Sequence, residues 1–410
     1  FKDQERFGLG LPRASRLAVL AGLHIDLKVP VLLLTNRADR ALELYDELSF
    51  WLSEGNNLYF PEPNPLFYEN LPWSESTRRE RLHVLTELAK YLLPGAEPSA
   101  APPVIIAPIR AVMTKTVPRR DFLRASQRLS LGDQRDLQEL ARSWVGLGYQ
   151  YSNIVVQPGQ FSRRGGILDI WSPAEEMPVR IEFFGNEIDT LKHFDPSTQR
   201  TVNALEKTFI FPASEALPLA AEKRGLLTQA LSEFEIPQLY DFPSSLMDYL
   251  PGQTLILLDG EEFITAAIND IEEEAVERFQ SLLEQKALPE DFPLPYITWS
   301  EIEDSFTHHQ VLELGHTNAF GLRPLAAAFD PGPRFAGRLK EFQAHLQELE
   351  HKGEPWIVVS RQAARLRQLW QENNPELSTE EAEALFVEGS LSGGWELTLA
   401  NGLRHHLLTD

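Results

Sequence analysis

Residues 163–194 read RRGGILDIWSPAEEMPVRIEFFGNEIDTLKHF. The pair Gly185–Asn186, set between two apolar-rich runs, predicts two strands joined by a tight hairpin turn. Alternation sorts the first strand into two faces. Val179, Ile181 and Phe183 fall on one, an ordinary core pattern, and Arg180, Glu182 and Phe184 on the other. A large aromatic among charges on the solvent side is the composition of a protein-binding hot spot. Arg164, ahead of Gly165–Gly166 and the strand-like run Ile167–Trp171, is expected beside the hairpin and supplies a second arginine. Glu182 is placed to hold Arg180 in register or to meet a basic group on a partner. The plainer reading is that Phe184 packs under a loop and the arginines are solvated, because single exposed apolar residues are common.

The 410 residues are too many for one ordinary domain, and two to four are expected. A hydrophobic content of 43% is enough for real cores. Lys plus Arg total 38 against 60 Asp plus Glu, a net charge of −22, which argues against free-standing nucleic-acid binding. The absence of cysteine removes disulfides, thiolate zinc sites and cysteine nucleophiles, and fits a cytoplasmic protein. No apolar run approaches the ~20 residues of a membrane span, and no signal-peptide core is present, so no membrane is expected as a partner. The chain opens on Phe1 and stops at LLTD after a strand-like run, so it is expected to be a piece of a longer protein.

The first part reads as α/β. Val31–Leu34 and Val104–Ala107 are buried-type strands, and residues 38–54 and 76–92 carry apolar residues at helical spacing. That order suggests a parallel sheet with crossover helices. Residues 94–103 are a proline-rich loop. From Phe122 the pattern becomes antiparallel α+β. The strand-like runs Thr208–Ala213 and Leu255–Leu258 suggest that the α/β domain then resumes. A linker is expected at 330–333, followed by helices at 338–351 and 361–373 flanking a strand at 356–360.

RGGILDIWSP at 164–173 and PVRIEFFGNEIDTLKHFDPSTQRT at 178–201 resemble the second domain of bacterial transcription-repair coupling factor (Mfd), a domain shared with the excision-repair protein UvrB. VPVLLLTNRADRALELYDEL, NLYFPEPNPLFYENLPW, VIIAPIRAVMTKTVP and the closing FVEGSLSGGWELTLANGLRHHLLTD also look like segments of this family. The resemblance implies that the second domain docks the damage-recognition ATPase UvrA, with Arg164, Arg180 and Phe184 at the contact positions and Glu182 at the acidic position between the last two. It implies a degenerate P-loop-helicase-like parallel-sheet domain in two parts, 1–121 and 208–329. This domain would be split by an inserted antiparallel α+β docking domain at 122–207 and followed by a small α/β domain at 330–410. The implied role is a non-catalytic adaptor recruiting UvrA to RNA polymerase stalled at DNA damage, and this stretch is expected to be monomeric. In the parent family an ATP-dependent DNA translocase, with ATP, magnesium, duplex DNA and RNA polymerase as its ligands, lies in domains outside this stretch.

A working nucleotide site needs G-x-x-x-x-G-K-[ST]. The corresponding loop here is Gly8-Leu9-Gly10-Leu11-Pro12-Arg13-Ala14, which sets Pro12, Arg13 and Ala14 where Gly-Lys-Thr belongs if Gly10 is an early loop glycine. Proline lacks the N–H that would cradle phosphate. Leu255–Leu258 ending in Asp259 has the placement of a magnesium-binding strand, but Gly260 intervenes before Glu261, and an acidic helix start is the better reading. These residues predict no ATP hydrolysis and no cofactor in this stretch. The alternative, an active UvrB-type damage-verification ATPase, needs the intact loop and a long aromatic DNA-clamping hairpin, and neither is found. The ten histidines are scattered, with His345 and His351 six apart on one helix and His405–His406 adjacent, so no metal is expected. Acidic clusters at Glu272–Glu274 and Glu380–Glu383 read as solvated helix faces.

Overall fold

A computed structural model describes residues 7–52, 57–226, 231–315, 323–335, 337–374 and 385–409, with 323 and 324 described in backbone only. Glu380–Glu383 lie outside these residues. The class is mixed α/β, built on one parallel sheet and separate sheets with antiparallel pairing.

The parallel sheet has six strands in the order Phe7–Gly8, Gln310–Glu313, Leu255–Leu258, Val31–Thr35, Val104–Pro108 and Asn57–Tyr59. Every neighbouring pair runs parallel. Side-chain alternation explains the unbroken apolar runs. Leu32, Leu34, Ile105, Ile256 and Leu258 enter one core, while Val31, Leu33, Val104, Ile106, Leu255 and Leu257 enter the other. Both faces are covered, as parallel sheets require. The helix expected at 76–92 is Glu75–Lys90, started by Ser74, whose Oγ accepts from the Thr77 N–H at 3.1 Å. The helix expected at 38–54 ends at Leu48. Trp51 and Leu52 reach the same core from the following turn, so their helical spacing overstated the helix.

Thr208–Ala213 does not rejoin the large sheet. Lys207–Ile210 instead pairs antiparallel with Gln127–Ser130, making a two-stranded ribbon of one outgoing and one returning segment. Leu129 and Ile210 of the ribbon are buried in one core, and Phe211, the next residue, in another. The alternation of that run thus serves two packing units. At the ribbon's far end, where Lys207 faces Ser130, Lys207 Nζ donates to the Gly95 carbonyl at 3.1 Å and to Glu97 Oε1 at 2.7 Å.

Beyond the ribbon lies a six-stranded sheet in the order Thr201–Leu205, Glu187–Phe194, Val179–Phe184, Ile167–Ile170, Gln160–Arg164 and Gln150–Tyr151. All its pairings are antiparallel except the last. The helix Leu137–Gly146 covers one face. Asp136 caps it by accepting from the Gln138 and Glu139 N–H groups at 2.8 and 2.9 Å, and its Trp144 is fully buried against Phe161.

A third, mixed sheet orders Phe329–Pro331, Trp395–Thr398, Arg404–Thr409, Trp356–Ser360 and Phe386–Glu388. Helices Leu339–Lys352 and Ala363–Asn373 flank it as expected. The expected linker at 330–333 is in part an edge strand of this sheet, where Pro331 is tolerated because its missing N–H would face outward. This unit packs directly on the first: Trp395 stacks on Trp51 at 6.4 Å, and Ser392 donates through N and Oγ to Glu47 Oε1, both at 3.1 Å. Among the described residues no helix is long and apolar enough to cross a membrane.

Candidate protein-docking site

The hairpin turns where the sequence places it. Phe184 and Glu187 are paired across the two-residue loop, and Gly185 takes the positive φ of 63° that such turns favour. Val179 and Ile181 lie in the core beside Leu168, Ile170 and Leu191. The other face carries Arg180, Glu182 and Phe184. Phe184 is 83% exposed, so it does not pack under a loop.

Cross-strand register brings Arg164 into the same face. Arg164 pairs with Ile167, Ile167 with Glu182, and Asp169 with Arg180, so these side chains share one surface of the sheet. Asp169 is the residue the sequence reading missed. It is 1% exposed, and two arginines roof it. Arg180 grips it as a fork, Nε to Oδ1 at 2.7 Å and Nη2 to Oδ2 at 2.9 Å. Arg164 Nη2 adds a bond to Oδ2 at 2.9 Å. Its signal was present in the sequence: in Ile167–Ile170, alternation puts Asp169 on the Ile167 face, opposite Leu168 and Ile170.

This network alters the expected roles. Both Arg180 and Arg164 are engaged within the chain, so they are not idle forks awaiting a partner's carboxylates. Arg180 is the more committed, with a side chain only 15% exposed against 50% for Arg164. Its guanidinium also lies 4.5 Å over the Phe194 ring and donates from Nη1 to the Gln199 carbonyl at 3.2 Å. Glu182 does not hold Arg180; it accepts from Lys192 Nζ at 3.2 Å. The resulting surface has a rigid charged floor and one projecting ring.

The loop from Gly8 to Ala14 runs along the end of the parallel sheet. Leu9 and Leu11 donate their N–H groups to the Glu313 and Leu314 carbonyls at 2.7 and 2.8 Å. Gly10 has φ 65°, Pro12 precedes a short 3₁₀ turn at Arg13–Ser15, and the helix Arg16–Leu27 follows. Asp259 ends the strand Leu255–Leu258 and is buried. Its two carboxylate oxygens are taken by arginines: Oδ1 pairs with Arg16 Nη1, and Oδ2 accepts from Arg40 Nε at 2.9 Å. Gly260 sits at φ 101°, where an added Cβ would press on the Phe263 ring, and the helix Glu261–Glu284 begins there. Within that helix Glu272 accepts from the Trp299 N–H and Glu274 pairs with Arg278, so the cluster is only partly a solvated face.

Residues 128–215 match the family described as the UvrB interaction domain. The chain is also similar to proteins named transcription-repair-coupling factor. The relative from Bacillus subtilis (strain 168) is 27% identical over 331 residues, covering 72% of this chain and 27% of that protein. The one from Myxococcus xanthus is 34% identical over 214 residues, 51% of this chain and 17% of the relative. The one from Staphylococcus haemolyticus (strain JCSC1435) is 23% identical over 458 residues, 97% of this chain and 37% of the relative. The chain thus spans well under half the length of these curated relatives. With the UvrB interaction domain matched at its centre, the chain is similar to the transcription-repair-coupling factors along most of its length.

Proposed function

We propose that this chain is the adaptor part of a transcription-repair coupling factor, and that it recruits UvrA through the outward face of the 160–194 sheet. The observation that carries the reading is Phe184, an 83% exposed ring at the tip of a hairpin whose charged surroundings are locked by Asp169. A preordered floor loses little freedom on binding, and one large apolar ring can be desolvated completely. Phe184 and the half-exposed Arg164 are the direct contacts in this reading, with Arg180 shaping the floor beneath them.

The same reading makes these 410 residues non-catalytic. Mg²⁺ needs a free carboxylate oxygen at the strand end, and both oxygens of Asp259 are engaged by Arg16 and Arg40. Translocation on duplex DNA, ATP hydrolysis with magnesium and the contact to RNA polymerase would belong to other parts of the full-length protein, acting in the cytoplasm.

Titration of purified UvrA against the protein, followed by calorimetry, tests the docking face. Loss of a hot-spot side chain costs ~2 kcal/mol, so Phe184→Ala is expected to weaken binding about thirtyfold while leaving the circular dichroism and unfolding midpoint unchanged. A folded Phe184→Ala variant that binds UvrA like the unsubstituted protein would overturn the assignment.

A further inference from the structure

The third unit holds a cluster that neither the docking face nor the nucleotide loop uses. His345 lies on the helix Leu339–Lys352, Glu396 on the strand Trp395–Thr398 and His406 on the strand Arg404–Thr409. Glu396 and His406 are directly opposed in the antiparallel ladder, so their side chains share a face. The helix crosses that face and brings His345 to it. One donor atom from each of the three lies within 4.8 Å of the others.

The hydrogen bonding around these rings is incomplete in one direction and complete in the other. His406 has a side chain only 2% exposed; its Nε2 meets Glu354 Oε2 at 2.8 Å, while its Nδ1 lies 3.6 Å from Glu396 Oε1, too far for a hydrogen bond. Both His406 Nδ1 and His345 Nε2 are buried without a hydrogen-bond partner. Two buried, unpartnered imidazole nitrogens and a carboxylate oxygen, all within 4.8 Å of one another, are a donor set for a metal. The contact from His406 Nε2 to Glu354 matches the outer carboxylate that fixes ring orientation in many such sites.

We propose that His345, Glu396 and His406 form a three-ligand site for a divalent first-row transition metal of the zinc class, with Glu354 as the outer-shell partner of His406. Two imidazoles and one carboxylate suit Zn²⁺ and its neighbours rather than Mg²⁺ or Ca²⁺. At a tetrahedral centre with ~2.0–2.1 Å bonds, donors stand about 3.3 Å apart, so the cluster needs to close by up to about 1.5 Å on binding. A bound ion would pin the helix to the two strands of the sheet. The plain alternative, a His406 ring held only by its contact to Glu354, leaves His406 Nδ1 and His345 Nε2 buried and unpaired.

The test uses the intact 410-residue chain, without a polyhistidine tag, titrated with Co²⁺ as a spectroscopic probe and then displaced by Zn²⁺. One equivalent of Co²⁺ with a ligand-field absorption band that Zn²⁺ abolishes is expected. His345→Ala and Glu396→Gln should each weaken binding at least tenfold, Glu354→Gln about 10- to 100-fold, and His405→Ala not at all. Circular dichroism identifies the folded variants, and Glu396→Gln carries the test if His345→Ala unfolds. No saturable Co²⁺ band, or unchanged affinity in a folded His345→Ala or Glu396→Gln protein, would overturn the proposal.

Discussion

Replacing Arg180 by alanine should damage the fold before it damages any interface. The substitution removes two of the three bonds to the Asp169 carboxylate, which is 1% exposed. Deleting one partner of a buried ion pair costs about 3–5 kcal/mol, because the remaining charge is left without compensation. Two features reduce that figure: Arg180 is 15% exposed, and Arg164 stays 2.9 Å from Asp169. About 2–3 kcal/mol of local destabilisation is therefore expected. Hydrogen exchange read by mass spectrometry on peptides spanning Val179–Phe184 and Glu187–Phe194 would report it. Exchange should be about 30- to 140-fold faster than in the unsubstituted protein, at 1.4 kcal/mol per factor of ten. The double variant Asp169→Ala/Arg180→Ala should recover much of the protection, since no charge is then stranded. Exchange within about twofold of normal in the single variant, or a double variant worse than the sum of its parts, would refute the argument that Arg180 acts through Asp169.

Other outcomes follow from the same kind of accounting. Arg81 is fully buried, with Nε and Nη2 on Glu215 at 2.7 and 3.1 Å, so Arg81→Met should lower stability by about 3–5 kcal/mol in urea unfolding; a shift below the error of the measurement would contradict this. Asp195 is held down to about 2 by hydrogen bonds from the Ser197 hydroxyl and then the Thr198 and Ser197 N–H groups. Its folded pKa is depressed, so the turn is favoured above the ordinary carboxylate range and loosens as pH falls through about 2. Carboxyl-carbon NMR should find that midpoint, and Ser197→Ala should move it upward. The chain should show no MgATP turnover above a heat-inactivated control, and activity that disappears in Asp259→Asn would sink the reading of that carboxylate as tied up by Arg16 and Arg40.

The sequence displayed the parts of this fold that depend on short-range pattern. Val31–Thr35, Val104–Pro108 and Leu255–Leu258 stood out because strands buried on both faces need uninterrupted apolar runs. Asn57–Tyr59 and Gln310–Glu313 did not, being short and carrying polar residues at sheet positions nearer the edge. The Gly185–Asn186 turn was legible from its residue types, and the solvent-side placement of Phe184 from alternation. What Arg180 does was not, because the deciding neighbour, Asp169, sits on a strand whose register no local pattern specifies. His345 and His406 met only through the fold of the third unit: one on a helix, the other on a strand. Spacing rules for helical ligand pairs look for neighbours along one element and pass over such a pair.

The ribbon formed by Gln127–Ser130 and Lys207–Ile210 has a mechanical consequence. A module hung on one strand can swivel freely about it, and its heading is lost within a few bonds. This module hangs on two, laced together by ladder hydrogen bonds and braced at the far end by Lys207 against Gly95 and Glu97. Tension between the sheet and the body is carried along both covalent chains at once, not across the hydrogen bonds, so pulling does not unzip the attachment. Twisting, by contrast, has to shear the ladder. Reorienting the Phe184 tip relative to the parallel sheet would therefore have to distort this ladder and break the Lys207 contacts.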